Sequence, residues 1–277
     1  MEYTLRDFQL CELKMLKSVM ECLEKEGIQC YIIGGGSIGA LRHEGFIPWD
    51  DDIDIAIMRC DFAKAEKVLK NLDEDMFYDS VENHVIPDAP LGHVYLLDES
   101  DMKNAPRIDI FAIDNVPDSK LAEKYQKLCA MVYHVCILRR PEENRGKVKK
   151  IFTYMICKFF PTFLLDFLQR LSYKGLTKWQ NCDTKYVSNI FGVSGDKEKV
   201  PAHYFGEARY VKFEDILVPI PEKAEEYNTQ IYGDFMKFPP EEKRVPSHFR
   251  FKNQESVGVY YEQINSWRRI IWNNWVL

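Results

Sequence analysis

The sequence predicts a mixed α/β (α+β) fold in which a central mixed sheet is flanked by helices. Short β-type runs alternate with segments in which apolar residues recur at helical spacing. Strands interleaved with helices are typical of a domain built around a sheet. The chain has 277 residues, of which 46% are hydrophobic and 29% are charged, so it is long enough to bury a sizeable core.

The N-terminal elements follow from local periodicity. An amphipathic helix is predicted for residues 4–26, because apolar residues recur at helical spacing until Gly27. Ile53, Ile55 and Ile57 alternate with polar or small residues, which predicts a strand with one apolar face. Similar reasoning predicts a strand at 28–33, a short helix at 37–43, a helix capped by Asp61 that runs to about residue 71, and strands at 92–97 and 107–113.

The C-terminal half contains a segment of different composition. A helix is predicted for 119–140, a hairpin for 208–221, and a helix for 222–232 that ends at Gly233. Between the first of these helices and the hairpin, residues 142–183 form a segment that is basic at its start, rich in Phe and Leu, and interrupted by Pro161. We therefore divide the chain into a core at 1–140, a helical insertion at 141–185 and a C-terminal part at 186–277 that completes the domain.

Charge and cysteine content restrict the function classes. The formal net charge of −6 argues against a nucleic-acid partner bound through a general basic surface. Eleven basic against four acidic residues lie between Arg139 and Lys185, a net of +7 that leaves −13 elsewhere and suggests an anionic partner. Eight cysteines without a C-x-x-C pair indicate free thiols. With no signal peptide or long apolar run, these features predict a cytoplasmic protein.

The stretch "GGGSIGALRHEGFIPWDDDIDI", residues 34–55, places four aspartates close behind three glycines. In a strand, residues two apart point the same way, so Asp52 and Asp54 project side by side. Paired carboxylates suit Mg²⁺ or Mn²⁺, and a cation would offset their repulsion. The alternative is an acidic loop on a solvated surface, against which the alternation through Ile57 argues. We predict a metal site.

Two further features support phosphate chemistry. Glycines and a serine between a strand and a helix can bring backbone amides to a diphosphate, although such a loop, taken alone, is more often a plain tight turn. The Walker and G-x-G-x-x-G spacings are absent. A third acid is expected if two ions lie about 4 Å apart. Asp109 in "RIDIF" is the candidate, with a surface-facing acid on an edge strand as the alternative, whereas Asp114 is interpreted as a turn residue.

At these residues the sequence resembles the LicD family of phosphocholine transferases, relatives of the fukutin group. The matching segments are "GGGSIGALRHEGFIPWDDDIDI", "RIDIFAIDNVP" and "YGDFMKFPPEEKRVPSH". The resemblance implies a polymerase-β-like nucleotidyltransferase core. It also implies that Asp52, Asp54 and Asp109 are catalytic and bind Mg²⁺ or Mn²⁺, with two ions expected. Gly35, Gly36 and Ser37 are expected at the nucleotide's phosphates.

The resemblance further implies the substrates. A CDP-alcohol, CDP-choline above all, donates its phospho-alcohol group to a sugar hydroxyl of a cell-surface glycan precursor, such as lipopolysaccharide, teichoic acid or capsule, and CMP is released. Ribitol, glycerol and ethanolamine remain open as the alcohol. Candidate donors to phosphate oxygens are Arg42 and Arg244, followed by His43, Lys243 and His248.

Three alternatives stay open at this point. The same core could transfer an NMP group from an NTP to a small molecule or a protein, or serve as a non-enzymatic scaffold. Residues 142–185 and the Trp-rich C-terminus suit either peripheral contact with a membrane bearing a lipid-linked glycan or packing within the protein.

Overall fold

The computed structural model describes residues 4–80, 91–96, 106–138, 151, 154–155 and 158–246. The expectations for His248, for the C-terminal tryptophans and for the start of the predicted insertion lie outside these residues. Within the described ranges, no helix combines the length and the apolar character that a membrane crossing requires.

The described helices agree with the periodicity of the sequence. Helix α1 begins at a capping box in which Thr4 and Asp7 exchange side-chain-to-backbone hydrogen bonds, and it buries Leu16, Val19 and Leu23. Helix α5 follows directly after Pro161, which cannot continue a preceding helix. The bounds are α1 Leu5–Lys25, α2 Gly34–His43, α3 Arg59–Leu69, α4 Lys120–Leu138, α5 Thr162–Leu176 and α6 Ala224–Tyr232.

A curled mixed sheet forms the centre of the fold. Its strands are β1 Cys30–Ile33, β2 Ile53–Met58, β3 Met76–Asp79, β4 Gly92–Leu96, β5 Arg107–Val116, β6 Tyr186–Ser188 and β7 Lys199–Pro201, and a separate hairpin comprises β8 Arg209–Phe213 and β9 Ile216–Ile220. The order is β1-β2-β5-β4-β3, and the far end of β5 pairs with β6, which pairs with β7. Strands β2 and β5 run parallel; the other described pairs are antiparallel. The predicted mixed α/β architecture is confirmed.

The two parallel strands form the centre of the core. Ile53, Ile55, Ile108 and Ile110 are fully buried and belong to the same cluster as the apolar face of α1. Burial on this scale contributes about 1.5–3 kcal/mol per large aliphatic side chain. The ends of β2 and β5 are therefore held rigidly, and both strands start at the same edge of the sheet.

Several local predictions are corrected. Helix α2 begins at Gly34 rather than Ser37, so the glycines form its first turn instead of a preceding loop. Helix α3 begins at Arg59 after Met58, and Asp61 lies inside its first turn rather than at the cap. Asp114 is not a turn residue: it lies within β5 and is buried in a bidentate ion pair with Arg59. Strand β5 continues past residue 113 to Val116.

Candidate functional site

Two acids occupy matching positions on the parallel strands. Asp54 of β2 pairs in register with Asp109 of β5, and Ile33 at the end of β1 pairs with Asp54 on the other side. In adjacent strands, residues in register point to the same face of the sheet. The structure thus brings Asp54 and Asp109 together, as the sequence predicted.

The segment before β2 adds a compact group of carboxylates. Asp50, Asp51 and Asp52 each offer a carboxylate oxygen that lies within 4.8 Å of the other two. Asp51 is buried, whereas Asp50 and Asp52 are partly exposed. The amide of Gln9 in α1 fixes this segment, because its Nε2 donates to the Asp50 carbonyl at 2.9 Å and to the Ile47 carbonyl at 3.2 Å. Carboxylate oxygens in this arrangement fit a hard divalent cation such as Mg²⁺ or Mn²⁺.

The glycines allow these carboxylates to approach the start of α2. A Cβ on Gly34 would lie 2.3 Å from Oδ2 of Asp54, and a Cβ on Gly35 would lie 2.0 Å from Oδ2 of Asp50. Gly34 also has a φ of +59°, a conformation that L side chains rarely adopt. The first-turn amides of a helix lack intrahelical acceptors and carry the positive end of its dipole. Acids and helix start therefore face the same space.

The predicted phosphate-binding residues differ in their surroundings. Gly35 is in the first turn beside Asp50. A Cβ on Gly36 would instead meet the Ile32 side chain at 2.6 Å, so this glycine permits close packing of α2 on β1. Ser37 is fully buried, and its Oγ accepts a hydrogen bond from Nδ2 of Asn228 in α6 at 3.0 Å. The phosphate contacts of these residues remain predictions.

Asp109 is oriented by two cationic or polar partners. Its Oδ1 lies 2.8 Å from Nδ1 of the buried His93 and 3.2 Å from Nε of Arg107. His93 stands opposite Asp109 in the β4–β5 pairing. The sequence analysis did not identify His93 or Arg107, because the partner of a strand residue depends on register and not on spacing within one segment.

Burial and the neighbouring acids raise the pKa of Asp54. Burial raises the pKa of Asp54 well above the ordinary range, and the charges of Asp52, Asp109 and Asp50 raise it further, while Arg107 acts in the opposite direction. Two carboxylates this close cannot both ionise cheaply without a counter-charge. A bound cation would supply that charge.

Two acids or hydroxyls near the site were also missed. Burial raises the pKa of Tyr232, and the charges of nearby acids raise it further, in the order Asp54, Glu198, Asp52 and Asp50. Glu12 lies on the buried face of α1. Burial raises the pKa of its carboxyl, and the charges of nearby acids raise it further, in the order Asp52, Asp50, Asp51 and Asp109. The signal for Glu12 was a carboxylate among the apolar positions of an amphipathic helix.

The predicted arginines join an aromatic cluster beside the acids. The guanidinium of Arg42 lies 4.8 Å from the Phe238 ring centroid, and its Nη1 donates to the Phe235 carbonyl at 2.6 Å. Arg244 lies 5.6 Å from the ring centroid of Trp49 and 5.5 Å from that of Phe238. Burial lowers the pKa of Arg42 and the charge of Asp50 opposes that effect, so Arg42 lies within reach of the acidic group. Arg244 is linked to it only through Trp49, which precedes Asp50 in the chain.

Comparison with known proteins bears on the family resemblance. Residues 27–134 match the LicD/FKTN/FKRP nucleotidyltransferase domain. This part of the chain is therefore similar to a LicD-type domain. Relatives extend the match: the lipopolysaccharide cholinephosphotransferase LicD of Haemophilus influenzae is 28% identical over 262 residues, which cover 89% of this chain and 97% of the relative. The resemblance to LicD is therefore confirmed.

Two shorter matches are to uncharacterized proteins. An uncharacterized protein of Rickettsia prowazekii is 38% identical over 61 residues, and one of Rickettsia typhi is 41% identical over 56 residues. These matches cover 22% and 20% of this chain, and 23% and 18% of the relatives. They add no functional statement, since only a small part of each relative is aligned.

Proposed function

We propose that this LicD homologue, a transferase, moves phosphocholine from CDP-choline to a sugar hydroxyl of a glycan precursor and releases CMP. The observation that carries the proposal is the register of Asp54 with Asp109, beside Asp52 and against the start of α2. The name of the Haemophilus relative supports phosphocholine as the group transferred and lipopolysaccharide as the acceptor type. Teichoic acid or capsule would present a similar sugar hydroxyl. A polymerase-β-like core is the arrangement we propose for these strands.

The residues divide the work by position. Asp52, Asp54 and Asp109 would hold Mg²⁺ or Mn²⁺, two ions in all, and such ions neutralise charge on the diphosphate when bound. The amides at Gly35 and Gly36 would face the phosphates from the start of α2, because the start of a helix favours anions. Arg42 and Arg244 supply donors to phosphate oxygens, because guanidinium is suited to bidentate contact with them.

The bond changes balance without an added reactant. The acceptor's hydroxyl oxygen forms a bond to the phosphorus that bears choline, and the bond from that phosphorus to the CMP oxygen breaks. Asp109 takes the hydroxyl proton, and His93 and Arg107 hold its carboxylate in place through Oδ1. Positioning and charge neutralisation account for most catalysis in reactions of this kind.

The test compares donors with purified protein, Mg²⁺ and a lipopolysaccharide precursor. We expect CMP release from CDP-choline, and a loss of about 10³-fold or more in kcat for Asp54→Asn, because a ligand at the reacting centre is removed. Asp215→Asn is the matched control, since Asp215 is an exposed acid paired with Lys17. Pyrophosphate release from an NTP, with no CMP from CDP-choline, would replace this proposal with nucleotidyl transfer. Full activity of Asp54→Asn would reject the site.

A further inference from the structure

Glu12 is a fully buried acid on α1 that the chemistry above does not use. Its side chain is 0% exposed, and within the described part of the chain neither carboxylate oxygen has a hydrogen-bond partner. Burying an unpaired polar group costs about 1–3 kcal/mol, and an unpaired charge costs more. A residue with this cost calls for a compensating partner.

The direction in which Glu12 points is fixed by its helix. Gln9 precedes it by three residues, so the two side chains lie on the same face of α1. Because Gln9 donates to the carbonyls of Ile47 and Asp50, this face contacts the segment that leads into the acidic group. The charges that act on Glu12 are, in order, those of Asp52, Asp50, Asp51 and Asp109. Glu12 therefore lies on the face of α1 that meets the acidic segment.

A neutral packing role does not account for this arrangement. A protonated carboxyl would place its O–H on a nearby acceptor, and neither oxygen of Glu12 makes such a bond to a described residue. An apolar side chain of similar size would pack at this position without the desolvation cost. What a carboxylate adds here is a hard, anionic oxygen directed at other hard, anionic oxygens, and a divalent cation is the ligand that such a group binds.

We propose that Glu12 is a ligand of a divalent cation, Mg²⁺ or Mn²⁺, held together with Asp50, Asp51 and Asp52. This inference rests on the metal dependence in the proposed function and extends it. The ion would be one of the two in the proposed function, and Asp52 is among the residues assigned to them there. Glu12 contributes from a helix whose ends and buried face are fixed, so its oxygen needs little ordering when the ion binds.

The experiment titrates the full chain with Mn²⁺ and measures free Mn²⁺ by electron paramagnetic resonance. In parallel, thermal unfolding is followed with and without Mg²⁺. For Glu12→Gln we expect Mn²⁺ affinity at one of two sites to fall at least tenfold. We also expect the melting temperature of the metal-free protein to be equal or higher, and the stabilisation by Mg²⁺ to be smaller. A merely structural Glu12 would lower the metal-free melting temperature and leave Mn²⁺ binding unchanged.

The matched control is Glu198→Gln. Glu198 is also a buried glutamate, but its Oε1 accepts a hydrogen bond from the Ser194 amide, and among the described residues no carboxylate contributes to the shift of its pKa. We expect that variant to bind Mn²⁺ as the wild type does. Glu12→Asp serves if Glu12→Gln fails to fold, and we expect it to keep two sites with weaker binding, because the shorter side chain retains the charge.

The outcomes separate the two proposals. Two Mn²⁺ sites of unchanged affinity in Glu12→Gln or Glu12→Asp would overturn the role of Glu12 alone. A wild-type protein that binds no Mn²⁺ or Mg²⁺ would overturn the metal dependence of the proposed function and the Glu12 inference with it.

Discussion

At the scale of single residues, the site is a set of neighbouring carboxylates. Repulsion between them lowers the free energy of unfolding unless a cation offsets their charge. Asp54 is the clearest case, because burial and the acids Asp52, Asp109 and Asp50 all disfavour its ionised form. Functional sites commonly hold such groups at a cost in stability. The conflict at Asp54 is consistent with a site built for a cation.

This conflict predicts a pH dependence for the metal-free protein. In the folded state Asp54 keeps its proton above the ordinary carboxyl pKa of about 4. Between that value and its raised pKa, the native state binds more protons than the unfolded state, so the free energy of unfolding falls as pH rises. Without metal at pH 7, we expect Asp54→Asn to have a higher melting temperature than the wild type. The difference should be about 2–4 °C for each kcal/mol gained in the free energy of unfolding, and it should shrink towards pH 4.

Scanning calorimetry in the presence of a chelator measures this difference, and Asp215→Asn provides the control. The pKa of Asp215 is lowered, chiefly by its hydrogen bond to Lys17. Its removal should therefore not stabilise the protein at pH 7. A lower melting temperature for Asp54→Asn across the whole range would contradict the expected repulsion.

At the scale of elements, sequence patterns predicted what depends on neighbours along the chain. The long helices α1 and α4 repeat an apolar period over many residues, and the bounds of α1 and the start of α4 agree with the structure to within one residue. The alternation of Ile53, Ile55 and Ile57 likewise falls in β2. The short strands β3, β6 and β7, of three or four residues, offer too few positions for a period to appear. Asp114 and Glu12 were misread or missed because their surroundings come from segments distant in sequence.

The Arg59–Asp114 ion pair predicts how strongly α3 is tied to the sheet. Arg59 is the first residue of α3 and contacts Asp114 of β5. Its Nε donates to Oδ1 at 2.7 Å, and its Nη2 donates to Oδ2 at 2.9 Å. Removing one partner of a buried pair leaves an uncompensated charge, at a cost of about 3–5 kcal/mol. We expect Arg59→Met to lose about that amount in urea unfolding, and the double variant Arg59→Met with Asp114→Leu to recover most of it.

The exposed pair between Lys14 and Asp75 is the control for this measurement, since both side chains are substantially solvent-accessible. Lys14→Met should change the free energy of unfolding by no more than about 1 kcal/mol. If the double variant were as unstable as Arg59→Met, the loss would come from packing at Arg59 rather than from the unpaired Asp114.

At the scale of the whole molecule, one region differs in charge and in exposed surface. The stretch from Arg139 to Lys185 has a net charge of +7 in a chain of net charge −6. Within it, α5 presents Phe163, Phe167 and Leu171 to solvent, spaced four residues apart on one face, and Phe159 precedes them. Aromatic residues with basic neighbours are typical of a helix that lies in a membrane interface. We interpret this face as the contact with an anionic membrane that carries the acceptor.

This interpretation predicts binding to vesicles. The wild-type protein should sediment with vesicles containing phosphatidylglycerol, and 0.5 M salt should weaken this binding, because charge contributes to it and is screened to within about 4 Å at that ionic strength. The variant with Phe163→Ser and Phe167→Ser should lose most of the binding, since these side chains are 73% and 59% exposed, while its melting temperature stays near that of the wild type. Val193→Ser with Leu217→Ser removes exposed apolar surface outside α5 and should bind normally.

Equal loss in both variants would assign the binding to general hydrophobicity. Retention of binding in the α5 variant would place the membrane contact elsewhere. Because the acidic site lies at the starting edge of β2 and β5, transfer to a short soluble acceptor should continue in the α5 variant while transfer to a vesicle-bound acceptor declines.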